Sequence, residues 1–220
     1  MVAIVADYRV KSRHNVKAKT CVSDAKSAVR WIREHAVELG IDPDRIAAGG
    51  GSAGGHLAAA TATLTNFDEA NENSEISSKP NALALFNPAL VLAPVDASMD
   101  VGTDTTTKRM KHLEARMGAK PESMSPYHNI NKHMPPTIIF HGTGDKTVPF
   151  NTVELFKKKM EENGNSCVLV AYKDAPHSFF NYKINYEKAN GAFIDTIHKL
   201  DKFFVSLGYL EAPPEATVHE

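Results

Sequence analysis

The sequence predicts an α/β fold built on a mostly parallel sheet of about five strands, with helices on both faces. Two observations predict it. Short apolar, β-branched runs alternate along the chain with stretches of helical periodicity, the order that a parallel sheet with crossover helices requires. The runs also lack polar alternation, as suits strands covered on both sides. With 220 residues and 42% hydrophobic residues, the chain is long enough for one sizeable core, and 1–220 reads as a single domain.

Residues 2–6 (Val-Ala-Ile-Val-Ala) read as the first strand, buried in that core. Val22, Ala25, Val29, Ile32, Ala36 and Leu39 recur at three- and four-residue steps, which marks an amphipathic helix stopped by Gly40. Arg45 to Ala48 form a second strand, Gly49 to Gly51 a sharp turn, and Ala53 to about Leu64 an alanine-rich helix. Residues 66–80 are polar loop; Ala82 to Phe86 are the third strand. A long, lid-like excursion follows at about 96–136, with one helix at Thr107 to Met117. Thr137 to Phe140 (strand), Val153 to Glu162 (helix ended by Gly164), Cys167 to Tyr172 (strand) and about Tyr186 to Leu207 (helix) complete the chain.

Composition narrows the function. The formal net charge is -1, too small to gather nucleic acid or anionic lipid. No apolar run approaches the roughly 18 residues of a membrane span, and the opening residues lack the pattern of a signal peptide, so the chain as written is expected in the cytoplasm. Cys21 and Cys167 have neither metal-ligand nor redox spacing. No metal is expected.

In open parallel sheets the ligand crevice lies beyond the carboxyl ends of the strands. Three residues of complementary chemistry follow strands in this sequence: Ser52 in Gly50-Gly51-Ser52-Ala53-Gly54, Asp145 in His141-Gly142-Thr143-Gly144-Asp145, and His177 in Asp174-Ala175-Pro176-His177-Ser178. A serine hydroxyl needs a base within reach, and the base needs a carboxylate to fix its tautomer. The strand-to-helix turn lifts the hydroxyl above the sheet, with Gly50 and Gly54 expected to let backbone pass closely, and the helix beginning at Ala53 offers its N–H as an oxyanion donor.

Each residue also has a plainer reading. A glycine-rich turn before a helix can cradle phosphate, although the P-loop lysine is missing here. Asp145 alone is ordinary turn chemistry, and Asp174 is a rival carboxylate that more readily shapes its own loop. Among the 10 histidines, His141 suits a structural hydrogen bond, His56 packing beneath the elbow helix, and His128 and His133 solvent exposure. Phe179, Phe180 and Tyr182 read as core packing before ligand contact. The order Ser, Asp, His, each in a post-strand loop, joins the three into one catalytic constellation.

Asp7-Tyr8-Arg9, Ala28-Val29-Arg30-Trp31-Ile32, Ile41-Asp42-Pro43-Asp44-Arg45-Ile46 and Gly50-Gly51-Ser52-Ala53-Gly54-Gly55-His56-Leu57 resemble the hormone-sensitive-lipase-like and carbohydrate-acetyl-esterase branch of the α/β-hydrolases. His141-Gly142-Thr143-Gly144-Asp145 and Ala175-Pro176-His177 extend the likeness to about residue 207. The resemblance implies a serine esterase, free of cofactors, acting on acetyl, short-acyl or aryl esters or acylated sugars. It implies Ser52 as nucleophile, His177 as base and acid, Asp145 as orienting carboxylate and Ala53 as oxyanion donor.

Against that family the sequence is expected to be a shortened form, since about three upstream strands and the His-Gly-Gly-Gly oxyanion loop have no counterpart in it. Two expectations follow. An uncovered sheet edge favours a homodimer or larger homo-oligomer, and the shortened site leaves open a catalytically weak or inactive relative that acts as a binding protein. A prolyl-oligopeptidase-type peptidase is a third reading, opposed by Ala53 where that family usually has tyrosine.

Overall fold

The structure is a computed structural model that describes residues 1–95, 107–182 and 189–212. These fall into two compact units, Val2–Ser178 and a second that begins at Phe179.

The first unit holds the sheet. In chain order its elements are α1 (Lys11–His14), α2 (Ala18–Glu34), α3 (Ala36–Leu39), β1 (Ala47–Gly51), α4 (Ala53–Thr63), β2 (Ala82–Phe86), α5 (Thr107–Met117), α6 (Pro121–Met124), a 3-10 turn (Pro126–Asn129), β3 (Thr137–Gly142), α7 (Phe150–Glu162) and β4 (Cys167–Tyr172). The four strands lie in the order β1-β2-β3-β4, and every pairing is parallel. Parallel neighbours need crossovers, which α4, the segment from α5 to the 3-10 turn, and α7 supply.

One face of the sheet presents Leu83, Leu85 and Ile139, which pack in one cluster with Ala58, Ala59 and Ala62 of α4 and Val153, Phe156 and Met160 of α7. Burying each of the larger side chains contributes roughly 1.5–3 kcal/mol. The alanines of α4 let that helix sit close to the strands. Its outer side meets Val22, Met117 and Met124 from α2, α5 and α6, together with its own Leu57, Ala60 and Leu64. Ala82, Ala84, Ile138 and Phe140, on the other face, are buried as well.

Several sequence expectations change here. Residues 2–6 are no strand: residues 1–10 carry no regular structure, and Val5 is 98% exposed. An apolar β-branched run becomes a strand only where a neighbour completes its hydrogen bonds, and β2 is the only strand paired with β1 among the described residues. The sheet therefore has four described strands, not about five. What anchors this segment is Arg9, whose guanidinium holds Asp24 at 2.5 Å and Glu69 at 2.6 Å.

The first long helix is interrupted at His35 before ending at Gly40, whose φ of 64° is the left-handed cap expected there. The excursion is more ordered than a loop. Residues 96–106 lie outside the described residues, but α5 forms at its expected place, and Pro121, Met124, Ser125 and Pro126 are buried beyond it. The polar loop at 66–80 is held to α2 by charge: buried Lys26 reaches Asp68 at 2.6 Å, and Arg30 pairs with Asp68 at 2.6 Å and with Glu72.

In the second unit, α8 (Ala189–Ser206) is closed by Gly208 at φ 71°, and Phe204 stacks on Tyr209. Its expected start at Tyr186 falls outside the described residues. Phe179 is fully buried, as a packing residue should be, whereas Tyr182 is 57% exposed.

Candidate active site

All four parallel strands deliver a polar side chain just beyond their carboxyl ends: Ser52 after β1, Asn87 after β2, Asp145 after β3 and His177 after β4. This is the edge at which open α/β sheets bind ligands.

The turn at Ser52 is sharper than the glycines suggest. Strand β1 runs on through Gly51, so the expected glycine turn at Gly49 to Gly51 is strand, and the reversal falls on Ser52 itself. Its φ of 54° and ψ of -116° are unfavourable for a residue with a Cβ. The surroundings hold it there: Ser52 N–H donates to the Phe86 carbonyl at 2.8 Å, and His56 N–H donates to the Ser52 carbonyl at 3.0 Å.

The close approaches are at Gly50 and Gly55. A Cβ on Gly50 would lie 2.7 Å from the Gly54 carbonyl carbon, and one on Gly55 would lie 2.9 Å from the Gly50 oxygen and from Pro88 Cβ. Gly54, expected to share this role, faces open space. As the first residues of α4, Ala53, Gly54 and Gly55 precede the first N–H that finds an acceptor one turn back, so their amides and the positive helix end face outward.

Asp145 and His177 meet because two loops touch. Gly142 and Gly144 let the loop after β3 press on that after β4: a Cβ on Gly142 would stand 2.1 Å from the Ala175 oxygen. Gly144 N–H donates to the Ala175 carbonyl at 3.1 Å, and Asp174 N–H to Thr143 Oγ1 at 2.8 Å. Asp174 thus shapes the loop, at φ 57° and exposed. His177 Nδ1 lies 2.7 Å from Asp145 Oδ2.

The carboxylate is fully engaged. Its Oδ1 accepts the Thr147 and Val148 N–H groups at 2.8 and 2.9 Å, and its Oδ2 accepts His177 and the Asn87 amide, the latter at 2.6 Å. Burial pushes such a carboxyl upward, but these hydrogen bonds outweigh it and hold Asp145 below the usual carboxylate range. A carboxylate paired to Nδ1 places the imidazole proton there and leaves Nε2 as the basic nitrogen. Among the described residues no hydrogen bond joins Ser52 Oγ to His177.

The remaining histidines divide. His141 Nε2 donates to the Val148 carbonyl at 2.9 Å and His56 Nε2 to the Met124 carbonyl at 2.9 Å, structural roles both, and burial lowers both pKa values. His128, expected in solvent, is half-buried, with Nδ1 2.8 Å from Ser125 Oγ and Nε2 3.2 Å from the Pro94 carbonyl oxygen. The Tyr127 ring meets it edge-on at 5.2 Å. His133 is exposed and lines a cavity of about 700 Å³ with Arg33, Asp44, Lys79 and Asn81. That cavity lies at the amino ends of the strands, away from Ser52.

Asn87 was missed by sequence reasoning. Only its place in Phe86-Asn87-Pro88, directly after a buried strand, hinted at it. Among the described residues no group of three or more metal-binding side chains occurs, and no helix is long and apolar enough to cross a membrane.

The parallel sheet with this serine elbow defines an α/β-hydrolase, in the branch that contains the hormone-sensitive-lipase-like esterases. Esterase 2 of the planctomycete Thermogutta terrifontis superposes with a TM-score of 0.86 at 47% identity, over 95% of this chain and 71% of that one. Its sarin-phosphonylated form gives a TM-score of 0.87 at 46% identity, over 94% and 73%. Within this class the chain belongs to the BD-FAE family, whose model matches residues 1–160. A probable isoprenylcysteine alpha-carbonyl methylesterase of Arabidopsis thaliana is 30% identical over 167 residues, 71% of this chain and 35% of that protein. A probable carboxylic ester hydrolase of Mycobacterium tuberculosis is 28% identical over 162 residues, 68% and 36%. The chain thus spans about a third of the length of these curated relatives.

Proposed function

We propose that this chain hydrolyses small carboxylic esters through a covalent acyl-serine, with Ser52 as nucleophile, His177 as base and then acid, and Asp145 as orienting carboxylate. The observation that carries the reading is the 2.7 Å pair between His177 Nδ1 and Asp145 Oδ2, on loops that leave the same edge of the sheet as the strained Ser52 elbow. Ser52 Oγ attacks the ester carbonyl carbon and passes its proton to His177 Nε2. The tetrahedral oxyanion is stabilised by N–H groups at the start of α4, that of Ala53 first. Collapse breaks the bond to the leaving alkoxide, which takes the proton from His177. Water then repeats the sequence, releasing the acid and restoring Ser52 Oγ–H.

The Ser52–His177 hydrogen bond forms with substrate in place, since catalytic hydrogen bonds commonly tighten only in the occupied site. The likeness to Thermogutta terrifontis esterase 2 favours short acyl groups: structures of that enzyme are described with propionate and with butyrate bound, and phosphorylated by paraoxon. Acetyl, propionyl and butyryl esters of small alcohols, phenols or sugars are the substrate class. No metal or cofactor enters any step.

The test is Ser52→Ala in the purified chain. Turnover of para-nitrophenyl acetate falls to the uncatalysed background, and covalent labelling by a fluorophosphonate disappears. Retention of either by the variant refutes the assignment; a wild-type chain that neither turns over nor labels belongs to a binding protein.

A further inference from the structure

We infer that Asn87 is a positioning residue for the catalytic pair: its side-chain amide, donated to Asp145 Oδ2, fixes the carboxylate in the orientation that aims His177 at Ser52. The inference rests on the esterase reading and adds a fourth member to its machinery.

Three observations carry it. The first is geometry. The Asn87 Nδ2 to Asp145 Oδ2 distance is 2.6 Å, and this oxygen is the one that receives His177 Nδ1 at 2.7 Å. The two donors bracket a single atom. Because Oδ1 is taken by the Thr147 and Val148 N–H groups, the carboxylate is held at both oxygens and has no freedom to rotate about its Cβ–Cγ bond. The orientation of the amide follows from chemistry: an ionised carboxylate only accepts, so the Asn87 NH2 and not its oxygen faces it.

The second observation is that stability alone does not explain an asparagine here. Asn87 has no exposed surface, sits at φ 43°, and its Oδ1 finds no hydrogen-bond partner among the described residues. A buried acceptor left unpaired is costly, and so is a left-handed backbone for any residue but glycine, though asparagine tolerates it better than most. Local rules broken together in this way mark positions kept for function.

The third is placement. Asn87 N–H donates to the Phe140 carbonyl at 2.9 Å, which ties its backbone to β3, the strand that leads into the Asp145 loop. Phe86, just before it, accepts the Ser52 N–H at 2.8 Å. Residues 86 and 87 therefore brace the nucleophile's strand on one side and the carboxylate on the other. The charged and titratable neighbours of Asp145 are His177 and His141, whose Nε2 is 3.4 Å from Oδ2 while donating to Val148. His141 thus has no proton free for Oδ2 when neutral, and the amide has no substitute.

The experiment compares wild type with Asn87→Ala, Asn87→Gly and Asn87→Asp, using para-nitrophenyl acetate and counting active sites by the burst with paraoxon. A hydrogen bond to a charged group lost from the pair corresponds to a fall of about tenfold or more in kcat per active site. KM stays within about twofold, because the amide touches no substrate. The acid limb of kcat/KM moves to higher pH in Asn87→Ala, since a less shared negative charge stabilises the imidazolium, and moves less in Asn87→Asp, where one of the two buried carboxyl groups keeps a proton. Asn87→Gly accepts the backbone conformation without strain and keeps the test valid should Asn87→Ala fold poorly. A purely structural role would lower the melting temperature and the count of active sites while leaving kcat per site and the acid limb unchanged, and that result overturns the inference. Ser52→Ala run alongside separates the two claims: activity surviving in it defeats the esterase reading and this inference together, whereas loss in it with full kcat in the Asn87 variants defeats this inference alone.

Discussion

Gly142→Ala tests whether contact between two loops, rather than the residues they carry, sets the site. Gly142 ends β3 and pairs with Tyr172 of β4. An alanine Cβ there would lie 2.1 Å from the Ala175 oxygen and 2.7 Å from its carbonyl carbon, so reaching an ordinary contact of about 3.4 Å requires the loops to part by roughly 3.4 − 2.1 = 1.3 Å. The obstacle is backbone and cannot rotate away. Overpacking of this kind costs about 1–3 kcal/mol of stability. The larger effect is on rate. Asp145 lies three residues beyond Gly142 and His177 two beyond Ala175, so the opening is transmitted to a pair now 2.7 Å apart. A misplacement of about 1 Å lowers turnover by roughly a hundredfold. Urea unfolding gives the first quantity, and kcat/KM for para-nitrophenyl acetate, per paraoxon-titrated site, the second. A variant within about 0.5 kcal/mol of wild type and with an unchanged rate would refute the argument, since no loop contact could then be positioning the pair.

The companion change, Gly54→Ala, should behave oppositely in stability: its Cβ meets nothing within 4 Å, so removing glycine from the first turn of α4 stabilises by about 0.5–1 kcal/mol, read as a rise in urea midpoint. Its cost is paid in catalysis only where the acyl group occupies that open space, seen as a larger loss on para-nitrophenyl butyrate than on the acetate. The fold should also weaken in acid. Burial holds His56, His128 and His141 below their ordinary pKa; the unfolded chain therefore takes up more protons as pH falls below about 6.5, and stability drops by at most about 1.4 kcal/mol per pH unit for each histidine until its folded form protonates too. Urea midpoints measured between about pH 7.5 and 5.5 check this, with His56→Asn flattening the slope; a midpoint independent of pH contradicts it.

Strands β2 and β4 were legible to the residue, because Ala82 to Phe86 and Cys167 to Tyr172 are apolar runs bounded by polar or turn-forming neighbours. Val2 to Ala6 has the same local character and forms no strand, which shows what such a run lacks: it specifies the capacity to pair, while the partner comes from elsewhere in space. The same limit applies at the site. Ser52, Asp145 and His177 could be picked out because each follows an element whose end the sequence marks. Asn87 was hidden because its partner, Asp145, is 58 residues away in sequence. The glycines around Ser52 show a finer boundary. Their number announced a tight turn, but which of them is crowded depends on how the first turn of α4 folds back on β1 and where Pro88 passes: Gly50 is crowded by the Gly54 backbone and Gly55 by the Gly50 oxygen and Pro88, while Gly54 itself is open.

The strands lie side by side in the order in which the chain makes them. The side chains beyond their ends are therefore laid out across the molecule in the order 52, 87, 145, 177, at intervals governed by the spacing of parallel strands, about 4.8 Å. The crossovers between them do not enter that distance. Sequence can be lengthened, shortened or rewritten in 66–80 or in the outer helices without changing the sideways order of the polar groups. In this architecture the crossovers can drift while the polar groups at the strand ends stay in line.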